Sequence, residues 1–284
     1  MKSVWRSVVL LLVLARGGFS DLHSQSAHPP FMVGVLQSDG VLIPLARFEA
    51  GKWTTPWPEG DGVAPASLAA VPDSWWPGFS GRTWSASLPG GSRALTLLQP
   101  TTIAAGCQRV VAIKTDYVNA PPIGDSRYIH PIAIAAAGDV TLRAVRTLDV
   151  NSPKDAEWAA AERQLFNTLE AMKRPTTGLL LQYRSRIPRE EGGDVSLFEA
   201  VGERRSVRLI VSDNVRGQFV MLKDAAASPS HELVGALVPL GTIWGLERLA
   251  VLAWEQGYDG GRYSIVTVNA EGLSWMVSAG ARGC

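Results

Sequence analysis

The sequence predicts a mainly β protein of multi-strand antiparallel meanders, propeller-like or sandwich/barrel in form, with one amphipathic α-helix at about 153–173. Three stretches carry that expectation. Residues 249–284 read LAVLAWE, QGYDGG, RYSIVTV, NAEG and LSWMVSA, three β-branched and aromatic runs separated by Gly-containing breaks. Residues 31–57 repeat the pattern: FMVGVLQ, the turn SDG, VLIPLARFE, the turn AGK, then WTTPWP. Between them one segment switches to a 3.6-residue period, with Trp158, Ala161, Leu165, Phe166, Leu169 and Met172 on one stripe.

In chain order, Ser38-Asp39-Gly40 is a strong hairpin signal, and Pro44 suits an edge or a bulge better than a sheet centre. The middle run of the last meander sets Tyr263, Ile265 and Val268 against Ser264 and Thr267, a half-buried alternation. Residues 59–80 are loop-like, punctuated by Pro65, Pro72 and Pro77. Strands return as RTWSASL, RALTLLQ, TTIAAG, CQRVVAIKTD, IHPIAIAAA and DVTLRAVRTL. For the helix, Ser152 is a good N-cap, Pro153 fits the first helical position, Asp155 has capping-box spacing, and Pro175 stops it. Beyond it LLLQYRSR, VSLFEAV, SVRLIVS, QFVMLKD and HELVGALVPLG complete roughly fifteen strands at spacings typical of sandwiches, barrels and propellers.

Of 284 residues 46% are hydrophobic and 19% charged, enough apolar material for a core and too little charge for wholesale disorder. A net charge of +1 gives no global electrostatic reason to expect nucleic acid as a partner. The N-terminus reads as a signal peptide over 1–20. Lys2 and Arg6 precede the apolar residues 8–15, and Gly18 and Ser20 stand where cleavage needs small side chains. The apolar run falls short of the roughly 20 residues of a membrane span, so no stable span is expected after cleavage. Residues 21–30 read as a linker, and 31–284 as a β-rich exported region, periplasmic or extracellular, with a division into two subdomains near 150–176.

Export makes Cys107 and Cys284 an expected disulfide pair. Closing that loop of about 177 residues is worth on the order of 5 kcal/mol in the chain-entropy model.

Two segments carry a resemblance. Residues 33–58 resemble the opening, and WEQGYDGGRYSIVTV with the terminal Gly-Cys resembles the end, of uncharacterised exported bacterial proteins, a group that implies no activity. The C-terminal run is also similar to FG-GAP-type propeller repeats. There an acidic calcium loop precedes such a strand pair, whereas the matching stretch here, PLGTIWGLER, lacks the acidic residues that a hard cation needs. No metal and no cofactor are expected.

Catalytic motifs mostly fail on inspection. His231-Glu232 begins like a zinc-protease helix, but Gly235 stands where the second histidine belongs. His130 precedes Pro131 in an apolar run, as a core or rim histidine would. Asp125, Asp139, Asp194, Asp213 and Asp259 sit beside Gly or turn residues, the usual structural setting for Asp. Arg184, Arg186, Arg189, Arg204, Arg205 and Arg208 interleave with Glu190, Glu191, Asp194, Glu199 and Glu203, the pattern of a solvated salt-bridged face.

Three classes of function remain. The first is a non-catalytic binding module for an envelope, glycan or protein partner. The second is a glycosidase- or esterase-like hydrolase whose acidic residues meet only in the fold. The third is a structural envelope protein. The binding module fits best, with Trp57, Trp75 and Trp76 around the Pro/Gly loop as its binding residues. Adjacent tryptophans in an extended chain point oppositely, so one of Trp75 and Trp76 is expected at the surface. The competing reading is that the indoles plug the core.

Overall fold

The computed structural model describes residues 28–88, 91–105, 108–118, 131–149, 156–202, 205–212, 219–226, 236–256, 261–269 and 272–279. The signal-peptide segment, Cys107, Cys284, His130 and His231 lie outside them, as do Asp125, Asp213, Asp259, and the expected helix cap at Ser152 and Pro153.

The chain opens with β1 (Phe31–Gln37), β2 (Val41–Glu49) and β3 (Lys52–Thr54). After a long irregular stretch come β4 (Trp84–Leu88), β5 (Gly91–Leu95), β6 (Leu97–Ala105), β7 (Gln108–Thr115) and β8 (Pro131–Ala137). These eight strands form one sheet in the order β5-β4-β8-β1-β2-β7-β6, with β3 pairing β2. The β1–β2 hairpin turns through Gly40 (φ 79°), whose N–H reaches the Gln37 carbonyl at 3.0 Å, while Asp39 accepts from the Val41 N–H at 3.1 Å. Pro44 sits beside a bulge in β2, where the register with β1 slips between Val33 and Gly34. Gly34 lets the strands close there: a Cβ on it would lie 2.3 Å from the Ile43 carbonyl oxygen.

DVTLRAVRTL reads as one strand in the sequence but is two, β9 (Thr141–Ala144) and β10 (Arg146–Asp149). Val145 separates them, its N–H bonded to the Leu240 carbonyl at 3.2 Å, and the two halves join different sheets. Next come α1 (Ala156–Ala171) and the strands β11 (Leu180–Pro188), β12 (Asp194–Gly202), β13 (Arg205–Ser212) and β14 (Phe219–Ala226). The last four are β15 (Ala236–Trp244), β16 (Leu249–Gln256), β17 (Gly261–Asn269) and β18 (Gly272–Ala279). The second sheet runs β10-β11-β12-β13-β14 and the third β18-β17-β16-β15-β9, both antiparallel throughout.

The sheets stack in layers, with the third in the middle. Ala250, Leu252, Tyr263 and Ile265 of the third sheet pack on Val33, Val35, Ile43 and Ile134 of the first. On the opposite face Val251, Ala253 and Val266 pack on Ile187, Val195, Leu197 and Ile210 of the second. The apolar run LAVLAWE therefore reflects a strand covered on both sides. The half-buried alternation expected of RYSIVTV is corrected for the same reason: Ser264 and Thr267 are as buried as Tyr263 and Ile265. Gly241 marks a close approach of the first and third sheets, since a Cβ there would fall 2.2 Å from Ile134 Cδ1.

On the far face of the second sheet Trp158, Ala161, Leu165 and Leu169 of α1 cover Leu181, Phe198, Ala200, Val207 and Leu209, with Phe166 partly buried beside them. Met172 does not belong to this stripe. The helix ends at Ala171 and Met172 is 41% exposed. Lys173 turns left-handed at φ 55°, and the Arg174 and Lys173 N–H groups bond back to Leu169 and Glu170 carbonyls, each at 2.8 Å. That is a Schellman cap with lysine in the place usually taken by glycine.

His28, expected in a loose linker, packs its ring edge-on against Phe31 and Phe48, at 5.0 and 6.1 Å between centroids. No helix among the described residues is long and apolar enough to cross a membrane.

Candidate functional site

Residues 55–83 form no strand, yet they are fastened to the outer face of the first sheet. Trp57 donates its indole N–H to the Val111 carbonyl of β7 at 3.0 Å. Trp75 and Phe79 pack on the same indole, at 5.2 and 5.1 Å between centroids. The Trp75 and Trp76 N–H groups both bond to the Pro72 carbonyl, at 2.9 and 3.3 Å, so this pair lies in a helical turn and not in extended chain. Asp73 Oδ1 closes the turn by accepting from the Gly78 N–H at 3.2 Å.

The turn aims the two neighbours differently. Trp76 is 1% exposed and Trp57 4%, so both fill the core and neither offers a face to solvent. Trp75 is half-buried. Of the three tryptophans singled out in the sequence, it alone reaches the surface, and the other two hold up the loop that carries it.

Two arginines that no sequence motif marks flank the buried indole. The guanidinium carbons of Arg47 and Arg82 each lie 5.4 Å from the Trp76 ring centroid. Arg47 projects from β2, its side chain 15% exposed and paired with Glu49; Arg82 is exposed. Trp76 Nε1, Trp84 Nε1 and Arg47 Nε are buried donors without a hydrogen-bond partner among the described residues. The one available signal was a charged residue inside the apolar run VLIPLARFE, a position that needs a partner.

A second polar centre lies between the second and third sheets, and it corrects the solvated arginine face in part: Glu199 and Arg208 are buried, whereas Arg186, Glu190 and Glu191 are exposed and Arg189 pairs with Glu191 at 3.5 Å. Glu199 of β12 and Arg208 of β13 stand opposite each other, 4% and 8% exposed, with Arg208 Nε donating to the Glu199 carboxylate. The same carboxylate accepts the Leu237 N–H from the third sheet at 2.9 and 3.0 Å. Leu237 lies outside the segment of β15 that β9 pairs, so the carboxylate takes the place of a ladder partner. Burial pushes the Glu199 carboxyl upward; Arg208 and the Leu237 N–H pull against that, and Glu255 adds repulsion. Arg184 is buried as well. Strand register explains the central pair: Glu199 and Arg208 stand opposite each other on strands covered on both faces, so their charges turn inward.

Of the turn aspartates, Asp139 is exposed and Asp194 half-buried at the start of β12. No group of three or more His, Cys, Asp or Glu side chains with metal-binding geometry occurs among the described residues. Comparison of the chain with protein-family models, with curated proteins and with solved structures found no match.

Proposed function

We propose that the protein is an exported, non-catalytic β-rich module that binds an envelope, glycan or protein partner through residues 55–83. The observation that supports this reading is the contrast within one loop. Trp57, Trp76 and Phe79 are buried anchors, while Trp75 is half-buried and Arg82 exposed. A loop pinned by buried aromatics presents its outer groups with little ordering entropy left to lose, which suits recognition. The buried Glu199–Arg208 pair serves the fold: its acceptor capacity is taken up by Arg208 and Leu237.

The test is capture of envelope fractions and glycan arrays by the mature protein and by its Trp75→Ala variant. A variant that stays folded and loses capture supports the reading. Equal capture by both, or none by either, overturns it.

A further inference from the structure

We propose that Arg47, Arg82 and Trp76 form an oxyanion subsite, selective for a carboxylate or phosphate carried on a small ligand. The proposal rests on the binding reading above and names the ligand chemistry of that loop.

Two independent observations meet here. The first is a surplus of positive charge: two guanidiniums lie against one indole, and Glu49 is the one carboxylate bonded to either of them among the described residues. Asp73, the acid within the loop, is engaged with the Gly78 N–H. The second is a surplus of donors. Trp76 is 1% exposed, yet its indole N–H and the Arg47 Nε find no acceptor among the described residues. Buried donors in folded proteins are almost always paired, so an unpaired indole N–H on the ring beneath two cations, and an unpaired Nε on one of those cations, call for an acceptor carrying negative charge. Arg82 is exposed where Arg47 is mostly buried, so the charge runs from the surface toward the buried indole. A guanidinium attracted to an aromatic face still has N–H groups to offer a planar oxyanion.

Glucose, glucuronate and glucose 6-phosphate share one ring and differ in charge, so they separate the possibilities. Binding is read by calorimetry and by tryptophan fluorescence for the mature protein and for Arg82→Gln, Arg82→Lys and, as a distant cation control, Arg248→Gln. Arg82 and Arg248 are both exposed, so these variants are expected to fold. The expected result is that one or both anions bind and glucose does not. Arg82→Gln weakens binding about tenfold or more, as loss of a charge-assisted hydrogen bond does. Arg82→Lys restores part of it, and Arg248→Gln leaves it unchanged. Whether glucuronate or glucose 6-phosphate binds assigns the anion as carboxylate or phosphate. If glucose binds as well as the anions and Arg82→Gln has no effect, the oxyanion subsite is overturned while the binding reading stands. If no sugar binds and partner capture also fails, both fall. Equal loss in Arg82→Gln and Arg248→Gln also overturns the subsite, since it signals diffuse attraction.

Discussion

Glu199 is one side chain tying together three strands: its own, that of Arg208, and β15 through the Leu237 N–H. Removing either charge leaves the other buried and unpaired, so Glu199→Ala and Arg208→Ala are each expected to cost about 3–5 kcal/mol in denaturant unfolding. The double variant Glu199→Ala/Arg208→Ala should cost less than the sum of the two singles, because no buried charge is left behind. Additivity in that cycle would show that the two groups act separately. Lys173 is the opposite case, a residue at odds with its backbone. Its left-handed φ of 55° carries a steric penalty that glycine lacks, so Lys173→Gly should raise stability by about 0.5–1 kcal/mol. Asp116 gives a pH signature. Its carboxylate accepts the Thr96 N–H at 2.8 Å, with Arg93 at 3.6 Å, and these hold its pKa below the ordinary aspartate value. A depressed carboxyl contributes stability above its unfolded pKa and loses it as pH falls. The stability gap between wild type and Asp116→Asn should therefore close on acidification; a gap that widens would refute the assignment. Residue identity alone could not separate Glu199 from Glu190 or Glu191. All three sit in the same charged stretch, and only strand register shows which one faces inward.

At the scale of elements, α1 was legible because its period is long and its stripe simple: Trp158, Leu165 and Leu169 fall where the spacing puts them. Its end was not legible, since Pro175 is a stop signal but the chain leaves the helix earlier, through the lysine cap. Leu165, with no exposed surface, should cost about 2–5 kcal/mol as Leu165→Ala, while Met172→Ala should fall within about 0.5 kcal/mol. Phe166 is partly buried, so its truncation should lie between them. The hairpin at Ser38-Asp39-Gly40 and the bulge beside Pro44 were readable because turn chemistry is local. The split of residues 141–149 into β9 and β10 was not, because nothing local in TLRAVRTLD says that its halves pair with β15 and β11, strands from different sheets. The tryptophan loop was half legible. The cluster around Pro72 was visible, but the turn that buries Trp76 and leaves Trp75 at the surface depends on a carbonyl accepting two N–H groups.

At the scale of the molecule, the mainly β class and antiparallel pairing followed from run lengths and turn residues, whereas the layering did not. A strand covered on both faces and a strand on a single covered face differ only in whether the intervening residues are small and weakly polar, as Ser264 and Thr267 are. Gly241→Ala tests the stack directly. A methyl there meets Ile134 Cδ1 of the first sheet at 2.2 Å and the Arg143 carbonyl oxygen of β9 at 2.8 Å, so the Ile134 side chain and the β9 backbone must shift. Overpacking of this kind is expected to cost about 1–3 kcal/mol, read as a lowered unfolding midpoint. Export and the Cys107–Cys284 bond remain proposals with direct tests: intact mass of the secreted protein, expected to begin near Asp21, and non-reducing peptide mapping. The middle position of the third sheet has a consequence in time. Four of its five strands, β15 to β18, are synthesised after everything they separate. Until they emerge, the inner faces of the first and second sheets have nothing to close upon except each other. A chain stopped at residue 235 should consequently bind a hydrophobic dye and aggregate, even though most of its strands are present. Refolding of the whole chain should be slow, in the range of milliseconds to seconds or longer, because its decisive contacts join residues 31–45 to residues 250–279. Were the chain exported as proposed, a core that cannot close before its last strands arrive would leave it loosely folded long enough to be threaded out of the cell.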